Sequence, residues 1–221
     1  MAERRTDSGI LVLGLGRFGG AIAETLTDLG HEVLAVDQNH DTVQRFAGSL
    51  THVVEADTTS EAALRQVGAD QFDCAVVAIG SHIEASILTT SVLADLGLST
   101  IWAKAVTRAH SRILSRVGAT RVVLPEHDMG ARVAHLVAGR ALNYIEFEDG
   151  FALVETTTPA EYVGKTLAEA GIRAEHGVTV VSIKRRGEDF SYATPETTIG
   201  AGDLLIVAGK TKLAERFAAL A

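Results

Sequence analysis

The chain has 221 residues, of which 47% are hydrophobic, so it can form one large domain or two small domains around a buried core. Its formal charge of −8 argues against nonspecific nucleic-acid binding, which depends on basic surfaces, and we expect no nucleic-acid partner. A cytosolic protein is expected, because no apolar run reaches the about 18 residues of a membrane span, the start does not resemble a signal peptide and Cys74 is the only cysteine.

The first half of the chain alternates between short apolar runs and helical patterns. The run "ILVLGLG" is typical of a strand buried on both faces, and apolar residues from Phe18 to Leu29 then recur at helical spacing until Gly30. Further strands are predicted in "HEVLAVD", "THVVEAD", "DCAVVAIG", "STIWAKA" and "TRVVLP", with helices at 42–48, 61–68, 85–96 and 111–117. Six strands alternating with helices predict an α/β fold, a Rossmann-like doubly wound parallel sheet.

The pattern changes near Pro125. The stretch "EHDMGARVAHLVAGRALNYIEF" predicts a long helix that leads into a strand, and "FALVETTT", "VTVVSIKRR", "FSYAT" and "DLLIVAG" predict four more strands. Short helices are expected near 166–170 and 211–220. We therefore predict three parts, which are an N-terminal nucleotide-binding domain (8–126), a connecting helix (127–142) and a small α+β C-terminal domain (143–221).

Three glycines follow the first predicted strand. Gly14, Gly16 and Gly19 form the pattern G-x-G-x-x-G, in which the first glycine permits a tight turn and the second lets the backbone approach a pyrophosphate. The third lets the helix pack closely on the strand. Asp37 ends the second strand, where a carboxylate can accept hydrogen bonds from both ribose hydroxyls and would repel the 2′-phosphate of NADP. A nucleotide or dinucleotide site is therefore predicted.

Arg17 lies inside this glycine loop, at a position where dinucleotide dehydrogenases usually carry a small or apolar side chain. A guanidinium here can bind a phosphate beyond the one held by the backbone, through two hydrogen bonds. The ligand can therefore be ATP or ADP as readily as NAD. The alternative is a solvated arginine on the first turn of the helix.

Several motifs in one order carry a resemblance to a known family: "GLGRFGG", "HEVLAVD", "AIGSHIEASILTTSVL", "IWAKA" and "RVGATRVVLPEHDMG". Together they resemble the cytosolic RCK-domain regulatory subunits of Ktr/Trk-type potassium uptake systems, and most closely the Ktr-type subunit. The resemblance implies a nucleotide-binding N-terminal domain, a smaller C-terminal ligand domain and an octameric ring of dimers. Such a ring docks beneath an integral-membrane potassium channel subunit, at the inner face of the cell membrane, and ATP favours the conducting state whereas ADP favours the inactive one.

The same resemblance implies roles for individual residues. Arg17 would contact the terminal phosphates, Asp37 the ribose, and Asp57 with Thr58 the adenine, while His110 would lie at the rim of the crevice. The residues expected to bind the nucleotide are Gly14, Gly16, Arg17, Phe18, Gly19, Asp37, Gln38, Asp57, Thr58, Ile79, Gly80, Ser81, Lys104, Ala105, His110 and Glu126. Most of them follow the carboxyl ends of predicted strands, which is where an open α/β sheet binds ligands.

Glu126 is also the one predicted metal ligand. In the resembling family an equivalent acid helps to hold a cation between nucleotides across the dimer, and Mg²⁺ suits oxygen ligands of this kind. The alternative is that Glu126 and Asp128 only favour the N-terminus of the connecting helix.

A second ligand is implied for the C-terminal domain, because similar proteins bind cyclic di-adenosine monophosphate (cyclic di-AMP) there at a dimer interface. The candidates in the matching stretch are Ile172, Arg173, His176, Val178 and Pro195. A plain core with a surface arginine is the alternative.

Two other classes of protein share the glycine pattern. An NAD-dependent oxidoreductase needs an acid or base beside the nicotinamide, and a redox-sensing dinucleotide-binding regulator needs a DNA-binding module. The sequence offers neither, so we expect a ligand-gated switch and not an enzyme.

Overall fold

A computed structural model describes residues 9–139 and 141–221, which form two compact units that meet in the chain between Glu126 and His127. The strands of the first unit are β1 (Ile10–Leu13), β2 (Val33–Asp37), β3 (His52–Glu55), β4 (Cys74–Val77), β5 (Thr100–Lys104) and β6 (Arg121–Val123). They pair in parallel in the order β3-β2-β1-β4-β5-β6. The change of direction beside β1 leaves a crevice at the carboxyl ends of the strands.

The helices of the first unit connect these strands, and three of them begin at polar side-chain caps. They are α1 (Arg17–Asp28), α2 (His40–Phe46), α3 (Glu61–Gln66), α4 (Ile83–Asp95) and α5 (Arg108–Arg116). Asn39, Ser60 and Thr107 cap α2, α3 and α5 by accepting hydrogen bonds from backbone N–H groups of the first turn. The core contains strand residues such as Leu11 and Leu13 and the helix residues that pack on the sheet, such as Leu93 and Leu114.

The second unit contains a five-stranded antiparallel sheet. After α6 (Pro125–Ala138), its strands are β7 (Asn143–Phe147), β8 (Phe151–Thr157), β9 (Thr179–Lys184), β10 (Ser191–Tyr192) and β11 (Leu204–Lys210), in the order β10-β9-β11-β8-β7. Its helices are α7 (Leu167–Ala170), α8 (Ile172–His176) and α9 (Thr211–Ala218). Alternate strand residues such as Val154 and Val207 pack against Phe217 of α9 in the core.

The predicted fold class is confirmed: a Rossmann-like parallel sheet is followed by a small α+β unit. The helix α8 was missed, because its five residues lie between two glycines in the left-handed conformation and show too short an apolar pattern. The division at residues 126 and 142 stays a prediction. The structure adds that α6 begins at Pro125 and ends at Ala138.

Candidate functional site

The three glycines of the loop between β1 and α1 have three different surroundings. Gly14 has a φ of +89°, a left-handed conformation that favours glycine at the turn. A Cβ on Gly19 would lie 1.8 Å from the carbonyl oxygen of Gly14 and 2.8 Å from the Cβ of Ala78, so this glycine is required for packing. A Cβ on Gly16 would meet no protein atom within 4 Å. The backbone at Gly16 is therefore open to a ligand.

The N-terminus of α1 begins at this open glycine. Gly16 occupies the N-cap position and provides no side-chain hydrogen bond to the first turn of the helix. The amide N–H groups at the start of a helix have no partner within the helix, and the helix dipole adds partial positive charge there. Together with the open backbone, this end of α1 suits the phosphate of a ligand.

Asp37 holds the glycine loop in place. One carboxylate oxygen, Oδ2, accepts a hydrogen bond of 2.6 Å from the backbone N–H of Leu15, and Oδ1 accepts one of 2.8 Å from that of Asn39. The sequence did not predict this structural role. Because a carboxylate oxygen has two lone pairs, the same side chain can still accept hydrogen bonds from a ribose.

A crevice of about 170 Å³ lies at the carboxyl ends of β1, β2 and β4. It brings together seven of the predicted residues, which are Gly14, Gly16, Asp37, Gln38, Thr58, Ile79 and Ser81. Four further residues that were not predicted also line it, namely Thr42, Ala78, His82 and Ala85. His82 could have been found from the sequence, since it lies two residues beyond the predicted strand "DCAVVAIG".

Asp57 and Thr58 follow β3, and they differ in exposure. The side chain and the backbone N–H of Thr59 both donate to Oδ1 of Asp57, at 2.7 and 2.9 Å, and hold the pKa of this carboxyl below its usual value. Thr58 is buried, and its hydroxyl accepts a hydrogen bond of 2.9 Å from the hydroxyl of Thr89 in α4. Only Thr58 of the pair lines the crevice.

A second group of predicted residues contains charged side chains. Lys104, at the end of β5, donates a hydrogen bond of 2.6 Å to Oε1 of Glu126, and its Nζ lies 5.5 Å from the ring centroid of Phe18. The Lys104 hydrogen bond, and to a smaller extent the charge of Arg17, hold the pKa of Glu126 below its usual value. Lys104 also approaches Gly80, where a Cβ would lie 3.2 Å from Nζ. One anion and two cations thus lie at the same end of the sheet as the glycine loop.

Two further predicted residues are buried. Ala105, which follows β5, is buried, and His110 of α5 is only 2% exposed, so the placement of His110 at the rim of the crevice stays a prediction. The helical spacing that places Arg108 and Arg112 outward turns His110 and Leu114 toward the sheet. Burial lowers the pKa of His110, and its Nδ1 accepts a hydrogen bond of 3.4 Å from the backbone N–H of Val106.

Glu126 has no partner of the kind that would complete a metal site from protein atoms alone. Within residues 9–139 and 141–221, no three histidine, cysteine, aspartate or glutamate side chains are grouped so that they could hold a metal ion. A cation at Glu126 would therefore need other oxygen ligands, such as those of phosphates.

The candidates for a second ligand lie in the second unit. Ile172, Arg173, Val178 and Pro195 line a cavity of about 390 Å³ between α7, α8 and β9. His176 points elsewhere, because its Nε2 lies 2.5 Å from the hydroxyl of Tyr162. Burial and the hydrogen bond to Glu175 raise the pKa of Tyr162 to about 12.

No helix in the described ranges combines the length and the apolar character that crossing a bilayer requires.

Comparison with known proteins assigns both units. The TrkA-N domain matches residues 10–125, and the TrkA-C domain matches residues 151–221. The Ktr system potassium uptake protein C of Bacillus subtilis (strain 168) is 41% identical over 93% of this chain and 94% of its own. The Ktr system potassium uptake protein A of the same organism is 39% identical over 93% of each chain.

Solved structures of lower identity share the fold. The GsuK channel bound to NAD is 19% identical with a TM-score of 0.66, and the match covers all of this chain and 40% of that chain. GsuK bound to ADP is also 19% identical, with a TM-score of 0.53 over 62% of this chain and 35% of that chain. From its TrkA-N and TrkA-C domains and its identity to the two Ktr proteins, the chain belongs to the family of Ktr system potassium uptake proteins.

Proposed function

We propose that this chain is the regulatory subunit of a potassium uptake system and that it acts as a nucleotide-gated switch without catalytic activity. The observation that carries the proposal is the open backbone at Gly16 at the start of an uncapped helix, opposite the carboxylate of Asp37. Membership of the Ktr family supports the role in potassium uptake.

The proposed ligand of the crevice is an adenine nucleotide, ATP or ADP, with NAD as the second candidate. Its phosphates would lie at the N-terminus of α1, and its ribose hydroxyls would donate to the remaining lone pairs of Asp37. The GsuK structures with NAD and with ADP support a nucleotide on this fold. The adenine would lie toward Thr58, on the β3 side of the crevice.

Arg17, Lys104 and Glu126 are proposed to distinguish ATP from ADP. Arg17 is exposed at the first position of α1, where its guanidinium can pair with the phosphate that only ATP carries. The carboxylate of Glu126 would face the same phosphate, and a bridging Mg²⁺ would offset the repulsion between these anions. A ligand changes a conformational equilibrium only if it binds the two states with different affinity, so this discrimination is what a switch requires.

Isothermal titration calorimetry of Arg17→Ala tests the discrimination, with Lys212→Ala in the second unit as a control that removes the same charge. We expect Arg17→Ala to weaken ATP binding by at least about tenfold more than ADP binding, as the loss of one charge-assisted pair implies. The control should bind both nucleotides as the unmodified chain does. Equal losses for ATP and ADP would remove Arg17 as the sensor.

We further propose that the chain forms an octameric ring of dimers that docks on an integral-membrane potassium channel subunit at the inner face of the membrane. Cyclic di-AMP is the proposed ligand of the cavity at Arg173, whose guanidinium can pair with a phosphate beside the apolar Ile172 and Val178. Native mass spectrometry with each nucleotide measures the stoichiometry and the mass of the bound ligand together. A monomer that retains no nucleotide would contradict the proposed ring and the proposed nucleotide ligand.

A further inference from the structure

The helix α4 buries hydroxyl groups on one of its faces. Ser86, Thr89 and Thr90 are fully buried, and their spacing of three and four residues places them on the same side of the helix. The hydroxyl of Thr90 donates a hydrogen bond of 2.8 Å to the carbonyl oxygen of Ser86, so it is satisfied within the helix. The hydroxyl of Thr89 instead donates to Oγ1 of Thr58, which lies outside the helix, at 2.9 Å.

Thr58 connects this buried face of α4 to the crevice. Its side chain is 6% exposed, and it lines the crevice together with Asp37 and Ser81. A hydroxyl group has one proton and two lone pairs, and the hydrogen bond from Thr89 occupies one of the lone pairs. Among residues 9–139 and 141–221, no protein atom accepts the proton of the Thr58 hydroxyl.

Packing alone does not account for this pair of threonines. Two valines would fill a similar volume and would bury no group that needs a hydrogen bond. The threonine pair buries two hydroxyls, gains one hydrogen bond between them and leaves one proton without a protein acceptor. Because Thr58 lines the crevice, this proton is available to a ligand that binds there.

The neighbouring acid does not offer the same contact. Oδ1 of Asp57 accepts hydrogen bonds from both the side chain and the backbone N–H of Thr59, and Asp57 is not among the residues that line the crevice. Thr58 is the one crevice residue that comes from the segment after β3. Since β3 lies next to β2, which ends at Asp37, a base attached to a ribose at Asp37 can reach Thr58.

We propose that the Thr58 hydroxyl donates a hydrogen bond to a ring nitrogen of the adenine base and that Thr89 positions this hydroxyl. The ring nitrogens N1, N3 and N7 of adenine are acceptors, whereas its amino group is a donor and cannot take the free proton of Thr58. The inference rests on the proposed adenine nucleotide and adds the residue that recognises its base.

Isothermal titration calorimetry with altered bases tests the proposal. The unmodified full chain and Thr58→Val are each titrated with ATP, ADP and the 1-deaza, 3-deaza and 7-deaza analogues of ATP, in which C–H replaces one ring nitrogen. Purine riboside triphosphate, which lacks the amino group, is the last ligand. Thr90→Val is the matched control, because it removes a buried hydroxyl from the same face of α4 whose hydrogen bond stays within the helix.

One deaza analogue should bind the unmodified chain about three- to tenfold more weakly than ATP, which is the effect of one net hydrogen bond. In Thr58→Val, ATP should lose the same factor and that analogue should lose nothing further. Thr58→Ser should restore the difference between ATP and the analogue, and Thr90→Val should keep it. Thr89→Val should reduce the difference, because the Thr58 hydroxyl can then turn away from the base. Circular dichroism confirms that each variant is folded.

Equal losses for ATP and for every analogue in Thr58→Val would assign the hydroxyl a structural role and overturn the proposal. A difference that appears only with purine riboside triphosphate would also overturn it, since Thr58 would then be an acceptor. An unchanged difference in Thr89→Val would remove Thr89 as a positioning residue. If the unmodified chain bound neither ATP nor ADP, the proposed nucleotide site itself would be refuted, and this inference with it.

Discussion

Replacing Gly16 or Gly19 by alanine separates the binding role of the glycine loop from its structural role. A Cβ on Gly19 would lie 1.8 Å from the carbonyl oxygen of Gly14, far below the 3.0 Å that real Cβ atoms keep. The backbone would have to move by more than about 1 Å, so we expect Gly19→Ala to cost at least about 3 kcal/mol, the upper part of the range for overpacking. A Cβ on Gly16 meets no protein atom, and the φ of −64° and ψ of −172° there suit alanine.

We therefore expect Gly16→Ala to lower the free energy of unfolding by no more than about 1 kcal/mol, because the new Cβ meets no protein atom and alanine is only a poorer N-cap than glycine. Urea unfolding followed by fluorescence measures this, because Trp102 is the only tryptophan and lies in β5 of the first unit. Gly19→Ala should lower the urea midpoint by roughly 1 to 3 M.

Gly16→Ala, the variant with the small effect on stability, should have a large effect on ligand binding. The Cβ of Gly16→Ala would occupy the space where a pyrophosphate approaches the backbone, so nucleotide affinity measured by calorimetry should fall by at least about tenfold in a fully folded protein. The reasoning is refuted if Gly16→Ala binds nucleotide as tightly as the unmodified chain, or if it is destabilised as strongly as Gly19→Ala.

Three further predictions concern polar contacts. Lys104→Gln should raise the pKa of Glu126 toward its ordinary value, which a carboxyl NMR titration would detect, and an unchanged value would exclude the lysine as the cause. Thr89→Val should cost about 1 to 3 kcal/mol in urea unfolding, because it leaves the buried hydroxyl of Thr58 without its donor, and a neutral effect would contradict this. Since the pKa of Tyr162 is about 12 in the folded state, stability should fall as the pH rises from 10 toward 12, and Tyr162→Phe should show a smaller fall in alkaline unfolding; an identical pH dependence would count against it.

Much of the first unit could be predicted because its signals are local. The strands are short apolar runs and several helices have a polar cap, and parallel strands joined by right-handed crossovers leave few possible sheet orders. The cap residue Ser60 explains why α3 begins at the predicted residue, Glu61. The cap residue Asn39 explains why α2 begins at His40, two residues before the predicted start. The glycine pattern likewise identified the loop, because Gly14 needs a left-handed conformation, Gly19 needs close packing and Gly16 leaves the backbone open to a ligand.

Contacts between distant parts of the chain could not be predicted in the same way. The hydrogen bond from Leu15 to Asp37 spans 22 residues, and the pair of Lys104 and Glu126 also spans 22 residues. Neither contact leaves a periodic signal, since each depends on which strands become neighbours in the sheet. The burial of His110 was missed for a related reason, since its predicted position came from the family resemblance, whereas its place on α5 turns it toward the sheet.

The pairing of Lys104 with Glu126 bears directly on the proposed switch. In the structure 12% of the Lys104 side chain is exposed, whereas 66% of the Glu126 side chain is exposed. A phosphate that approached Arg17 would compete with Glu126 for Lys104, and the carboxylate would then need another cation. Glu126 lies in the first turn of α6, which continues into the second unit of the chain. In the switch that we propose, a change of partner at Glu126 would act on α6, and a nucleotide without the third phosphate would leave the ion pair intact.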